Sequence, residues 1–370
     1  MANPSTGDFS AADLLVLQAR ADEVFSGGPM DYEYTYPTPI LEKFTTAQTA
    51  RPNPRLTGST CVGMQVDWLQ MGTHAASLDA TSASGDCTLP AGFKADAVSQ
   101  AYDNNIFLAW TTTVDLTDCN NRVEAQERRA KQVMKVLYNI RKALQAKVIT
   151  FLDAQKQDNL DAMLTAGNVN GYRGAYAENV DGKTIEVPTD EFQHPQSFSY
   201  LRSVAANNNM YDFYFLGGRD TFNHERYNSQ FLALNDDGRN VAATFATEDL
   251  TVDDRTLDQQ LGGSNLFAVD PAAYMMWNVS WSPNNTPVFV TENKFSYALQ
   301  MNDIQMVNAE GVLAPVRLEV EMNIDCTGRD ALGRRIYAET HEIKFVGGLA
   351  GAPTGADGET GVLKFVKTTA

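Results

Sequence analysis

Apolar residues recur along this chain in distinct rhythms, and each rhythm predicts a different element. From Asp118 to Lys156, in DCNNRVEAQERRAKQVMKVLYNIRKALQAKVITFLDAQK, there is neither proline nor glycine. Val133, Leu137, Ile140, Leu144, Val148 and Phe151 follow one another at three- and four-residue steps, and Val136 and Leu152 widen the stripe. The pattern predicts one helix of about 40 residues, roughly 60 Å long, ending near Ala166-Gly167-Asn168. CNNRVEAQERRA breaks any heptad seam, so a rod lying across a sheet fits better than a coiled coil. A second rhythm is strict alternation. Val316, Leu318, Val320, Met322 and Ile324 alternate with Arg317, Glu319, Glu321, Asn323 and Asp325, as a half-buried antiparallel strand requires. RIYAETHEIKFVGG returns from it across the loop CTGRDALGR.

Elsewhere the elements are shorter. Ser10 and Asp13 form a capping box ahead of Leu14, Leu17, Ala21, Val24 and Phe25, which predicts a helix over 9–25. CVGMQVDWLQMG and NNIFLAWTTTVDL read as two strands joined by a long, polar, small-residue excursion. After residue 170 the text is α+β. QSFSYLRSVAANNN reads as helix, YDFYFLGG as strand, RDTFNHERYNSQFLAL as helix and SNLFAVD as strand. Asp270-Pro271 then caps and starts a helix, PAAYMMWNV, and TPVFVTENKFSYAL follows as a strand region. GLAGAPTGADGETG reads as a flexible turn region. No internal repeat is present.

Between Pro29 and Pro54 the texture changes: five prolines fall in this segment. Proline removes backbone donors and keeps its neighbours extended. The segment also carries Tyr32, Tyr34, Tyr36, Ile40, Leu41 and Phe44, which a disordered linker would lack. An extended strap is expected, contributing little to the subunit's own fold and seeking a surface that a neighbouring chain could supply.

Composition narrows the function. A chain of 370 residues predicts two or three structural units. With 29 basic against 46 acidic residues, net −17, it does not look like a free nucleic-acid binder, but suits high local concentration. Against that background, Arg128 to Lys147 holds seven basic residues and no acid. Arg128, Lys131, Lys135 and Lys142 fall opposite the apolar stripe, as either a solvated face or one turned to an acidic partner or polyanion.

Catalytic and ligand-binding signatures are missing. There is no P-loop, no dinucleotide fingerprint, no HExxH and no GxSxG. His74, His194, His224 and His341 stand apart from one another, and Asp236-Asp237 and Asp253-Asp254 lack the spacing of a calcium loop. Cys61, Cys87, Cys119 and Cys326 are widely and irregularly spaced, which predicts reduced, mostly buried thiols. No catalytic residue, cofactor or metal site is expected. MANPSTGDFSAADLL has no signal-peptide pattern and no stretch of about 18 apolar residues occurs, so synthesis and use in the cytoplasm is the expectation.

The order and length of these parts resemble a tailed-bacteriophage major capsid protein, a fold shared with encapsulins. The resemblance covers nearly the whole chain and rests on order and length rather than on an invariant motif, with SNLFAVDPAAYMMWNV similar to a late step of the axial domain. It implies an α+β fold: an extended N-arm with a short helix (1–57), an E-loop (58–115), and a spine helix with peripheral domain (116–195). An axial domain (196–315), a strand hairpin shared by the peripheral and axial domains (316–346) and a C-terminal tail (347–370) complete it. The function implied is a self-assembling icosahedral phage head around double-stranded DNA, built of hexamers and pentamers. Portal, scaffold and decoration proteins are its partners, and the virion, assembled in host cytoplasm, is its location. Tyr32, Tyr34, Tyr36, Ile40 and Phe44 would anchor the arm on a neighbour. There is no room for an N-terminal scaffolding domain, and Lys94 has no asparagine partner for crosslinking. An encapsulin-like compartment and a hydrolase or binding protein with an unrecognised cleft are the alternatives.

Overall fold

A computed structural model describes residues 11–25, 38–50, 55–59, 63–69, 97–115, 122–161, 164, 177–178, 181–187, 197–210, 212–221, 250–253, 255–280, 288–291, 294–329, 335–355 and 358–368. The fold is mixed α+β. In chain order the described elements are α1 (Ala11–Phe25), α2 (Pro39–Ala50), β1 (Arg55–Ser59), β2 (Gly63–Leu69), β3 (Ala97–Asp103) and β4 (Ile106–Asp115). They continue with α3 (Arg122–Ala154), β5 (Ala177–Glu178), β6 (Thr184–Val187), α4 (Ser197–Asn207), β7 (Tyr214–Gly217) and β8 (Leu250–Val252). The last are α5 (Leu257–Leu261), β9 (Asn265–Val269), β10 (Tyr274–Asn278), β11 (Val288–Thr291), β12 (Lys294–Val307), β13 (Leu313–Arg329), β14 (Arg335–Gly351) and β15 (Val362–Lys367).

The long helix is present as α3, with 33 residues. Val133, Leu137, Ile140, Leu144, Val148 and Leu152 are fully buried on its inner side, against β4 and β14. It stops at Ala154, well before Ala166-Gly167, although the sequence offers no breaker there. A tertiary contact ends it. The buried Gln157 gives its backbone N–H to Val362 O (2.8 Å) and accepts N–H groups from Thr360 (3.3 Å) and Gly361 (3.1 Å).

α3 lies on a sheet ordered β10-β12-β13-β14-β4, with β11 added beside β12. The alternation in β13 sends Val316, Leu318, Val320, Met322 and Ile324 into the core, while the intervening residues from Arg317 to Asn323 stay half-exposed. β14 divides one of its edges: residues from Arg335 to Lys344 pair with β13, and Gly347 to Gly351 pair with β10. Asn278 fills the fork. Its side-chain amide donates to Arg317 O (3.1 Å) and Val346 O (3.0 Å) and its carbonyl accepts from Arg317 N (2.8 Å).

A smaller sheet, β1-β2-β3, packs Met64, Val66 and Trp68 on Met275, Trp277 and Val279. The segment 97–103, expected to belong to a polar excursion, is a strand paired along β2 from Gly63 to Leu69. In the third sheet, β5-β6-β15-β9-β7-β8, the middle strands are buried on both faces. Phe215, Leu266, Ala268, Leu363 and Phe365 meet Leu201, Val204 and Ala205 of α4 on one side. Tyr214, Leu216, Phe267, Val269 and Val362 join the main core on the other.

Three further expectations are corrected. YMMWN is not helical: Asp270 accepts from Ala272 N (2.8 Å) and caps a single 3-10 turn, Pro271–Ala273, after which β10 begins. A short run buried on every side has no periodicity to separate strand from helix. The C-terminal stretch is not only a tail, because β15 pairs with β6 on one edge and β9 on the other. The third correction is α2. Residues 39–50 are a helix, not an extended strap. Pro39 stands at its first position, where its missing N–H costs nothing, so the prolines at 37, 39 and 52 bracket a helix rather than forbid one. The reading of RDTFNHERYNSQFLAL as helix falls mostly outside the described residues.

Candidate functional site

α3 presents two chemically distinct sides, and the seven basic residues divide between them. Lys131, Lys135 and Lys142 are exposed, and Arg128 is half-exposed beside them, bonded to Glu124 Oε1 (3.0 Å) and Asp115 O (3.3 Å). Steps of three, four and seven residues hold these four on one strip of the helix, turned away from the core stripe. Lys147 is exposed on another flank. The remaining two, Arg129 and Arg141, turn inward and are buried.

Arg129 makes a two-pronged bond to Glu339 of β14, from Nε and Nη2 to the two carboxylate oxygens. His341, fully buried, places Nε2 at 3.3 Å from Glu339 Oε2 and Nδ1 at 3.2 Å from Tyr297 Oη. Both ring nitrogens of His341 therefore lie within hydrogen-bond reach of a partner. Burial alone would push the Glu339 carboxyl up, but Arg129 and His341 override it and hold it below its ordinary range. Burial likewise opposes the charge on Arg129, yet Glu339 outweighs it and raises the guanidinium. Burial pushes the Tyr297 hydroxyl up, which keeps it a neutral donor.

Twelve residues further along α3, Arg141 reaches α2, the residue just ahead of it, and β12. It donates to Thr38 Oγ1 (2.9 Å from Nη2, 3.2 Å from Nε), to Glu42 Oε1 (2.5 Å) and to Asp303 Oδ2 (2.6 Å). Gln145, one turn on, donates to Asp253 Oδ2 (2.8 Å) and Thr256 Oγ1 (2.7 Å) and accepts from Leu41 N (3.4 Å). Gln126, near the start of α3, donates to the buried Asp13 of α1 (2.5 Å). The polar residues on the inner side of the rod therefore fasten α1, α2 and the sheet to it.

The expected arm anchors fare differently. Ile40 and Phe44 are fully buried in the subunit's own core, which corrects their assignment to a neighbour. Phe44 stacks on Tyr274 with ring centroids 3.6 Å apart and meets Phe151 of α3 edge-on at 6.1 Å. Tyr274 Oη closes the arrangement, donating to Phe44 O (2.7 Å) and lying 2.8 Å from Tyr214 Oη. The physical reason is the spacing Ile40, Leu41, Phe44, Ala47, which puts one apolar face of α2 on β10, β12 and α3. Tyr32, Tyr34 and Tyr36 lie outside the described residues, as do His74, His194, His224 and Lys94.

Among the described residues no group of three or more His, Cys, Asp or Glu side chains could hold a metal ion, and no helix is long and apolar enough to cross a membrane. The Arg129–Glu339–His341–Tyr297 set was not legible in sequence, since its members come from α3, β12 and β14. The one available signal was a Glu-x-His pair on one face of an otherwise amphipathic strand.

No family model matches the chain, and no curated protein matches it. Solved structures do. A phage-related protein from Bordetella bronchiseptica RB50 is 11% identical, over 95% of this chain and 96% of that one, with a TM-score of 0.38. A chain from Mycobacterium phage Che8 is 12% identical, over 91% and 93%, with a TM-score of 0.36. One from the mature capsid of bacteriophage PhiM1 is 9% identical, over 93% and 91%, with a TM-score of 0.39. The chain is thus similar, loosely and over nearly its whole length, to proteins of phage origin that include a capsid subunit.

Proposed function

We propose that this chain is the major shell subunit of a tailed-phage head, a structural protein that associates with copies of itself into a closed icosahedral container for double-stranded DNA. The observation that carries the reading is one long helix, α3, packed through β4 and β14 on a sheet that contains very long strands. A helix of 33 residues spans about 50 Å, and β13 and β14, at 17 residues each, span roughly 56 Å. A long rod fastened to a sheet of long strands makes a stiff, broad plate, and a thin shell is tiled from such plates. A catalytic domain has no such need.

In this proposal hexamers and pentamers close the shell, and the E-loop that laps onto a neighbour is the part of 58–115 between β2 and β3, because β4 belongs to the subunit's own main sheet. Tyr32, Tyr34 and Tyr36 keep an inter-subunit role, whereas α1 and α2 belong to the subunit itself. The strip Arg128, Lys131, Lys135 and Lys142 faces the genome or an acidic partner. Portal and scaffold proteins are the further partners, and the virion is the location. The test is electron microscopy of the expressed chain with assay of nuclease-protected nucleic acid. Hollow particles that fill with DNA when the rest of the head is supplied support the proposal. Dispersed single subunits under all assembly conditions oppose it, and particles carrying only protein cargo favour a compartment shell instead.

A further inference from the structure

Side-chain amides close three open places on the main sheet. Gln18 of α1 exchanges two bonds with the backbone of Gln300 in β12 (2.9 and 3.0 Å). Gln48 of α2 does the same at Met276 in β10 (2.9 and 3.2 Å), and Asn105 at Leu349 in β14 (2.8 and 2.9 Å). β4 ends the sheet, and its outer edge carries no such plug among the described residues. In a strand, the N–H and C=O of one residue point to the same side and those of the next residue to the other. Leu349 turns its pair towards Asn105, so Gly347, Phe345, Ile343, His341 and Glu339 turn theirs to Ile106, Leu108, Trp110, Thr112 and Val114. Phe107, Ala109, Thr111, Thr113 and Asp115 therefore aim theirs outward. Asp115 O already accepts from Arg128 (3.3 Å), which leaves four residues. All four are exposed, Phe107 by 64%. From Ile106 to Val114 the strand holds no charge and no proline, the features that commonly blunt an edge.

We propose that β4 pairs antiparallel with β4 of a second copy across a two-fold axis, and so joins one ring of subunits to the next. The inference deepens the shell reading and rests on it. The occupant follows from the strand itself. One register joins the four open residues to one another, with none left over and Asp115 untouched: Phe107 opposite the partner's Thr113, and Ala109 opposite the partner's Thr111. That register sets Phe107 against a β-branched side chain, a favourable cross-strand pair. It centres on Trp110 and brings no charge opposite another. In a chain of net −17, copies repel each other on the whole, and this uncharged edge is where two can meet. The contact is isologous, with the same strand on both sides. Pentamers and hexamers are built head to tail from two different surfaces, so a strand paired with itself links rings rather than closing one.

The test is electron microscopy and light scattering of the full chain beside two double variants at exposed positions. Ala109→Lys with Thr111→Lys sets like charges directly opposite each other in the two-fold register, whereas Ala109→Lys with Thr111→Glu sets opposite charges there. The wild-type chain should give closed particles. A109K/T111K should stop at rings or single subunits, with a severalfold lower yield of closed particles, and A109K/T111E should restore them. Closed particles at normal yield from A109K/T111K overturn the self-pairing. So does a lack of recovery in A109K/T111E, which would mean that a different strand occupies the edge. A wild-type chain that forms no closed particles fails the shell reading, and this inference with it, so the two failures are told apart. Should A109K/T111K not fold, by circular dichroism, Phe107→Lys with Thr113→Lys against Phe107→Lys with Thr113→Glu decides in the same way.

Discussion

Glu339 and Arg129 meet under α3, where each is costly alone and tolerable together. Taking either away leaves a buried charge without its partner, a loss of about 3–5 kcal/mol. Arg129→Met should therefore lower the unfolding free energy by that amount in chemical denaturation. The double variant Arg129→Met, Glu339→Gln should recover much of it, and equal losses in single and double variants would contradict the pairing. The Glu339 carboxyl sits below its ordinary range, so its contribution is present above that range and is lost as pH falls through its folded value. Glu339→Gln should flatten the acid limb of the stability profile. A different kind of intolerance marks Gly348. A Cβ there would stand 2.1 Å from Trp277 Cζ2, and one at Gly347 would stand 2.2 Å from Trp277 O. These glycines let β10 close against β14, and Gly348→Ala should cost about 1–3 kcal/mol by overpacking, read as a fall in denaturation midpoint.

At the scale of elements, α2 changes what the N-terminal region is for. Its burial of Ile40, Leu41 and Phe44 on β10, β12 and α3 makes it part of the subunit's core, so Phe44→Ala should cost about 3–5 kcal/mol. Deleting residues 1–50 should abolish the cooperative thermal transition, and a soluble truncation that melts cooperatively would contradict this. The sequence conceals α2 because the prolines at 29, 37, 39, 52 and 54 read as one block. Proline at a first helical turn is permissive, and the run from Ile40 to Arg51 contains none. α3 and β13 were legible because each repeats one period long enough to exclude the other. β10 and β15 were not: each is five or six residues, buried among other strands, and flanked by glycine or proline that suggested turns. The exposed strip on α3 was legible from helical spacing. The inward turn of Arg129 and Arg141 was not, because the acids that draw them, Glu339, Glu42 and Asp303, lie 210, 99 and 162 residues away in the chain.

For the whole molecule, the separation of charge matters. A chain of net −17 would repel its own copies uniformly if that charge were evenly spread, but the α3 strip gathers cations on one side of the rod. Lys131→Glu with Lys135→Glu should leave helix content unchanged by circular dichroism while lowering the yield of filled particles, and full particles at normal yield would remove any role for the strip. The proposed shell role requires copies of the chain to associate, and the most direct measurement is the mass of the chain in solution. Sedimentation velocity at increasing protein concentration should show a cooperative step from the 40.6 kDa subunit to a discrete, closed species of many copies, with few intermediates. A single boundary at subunit mass across the whole concentration range, or open-ended polymers with no limiting size, would contradict a shell-forming subunit.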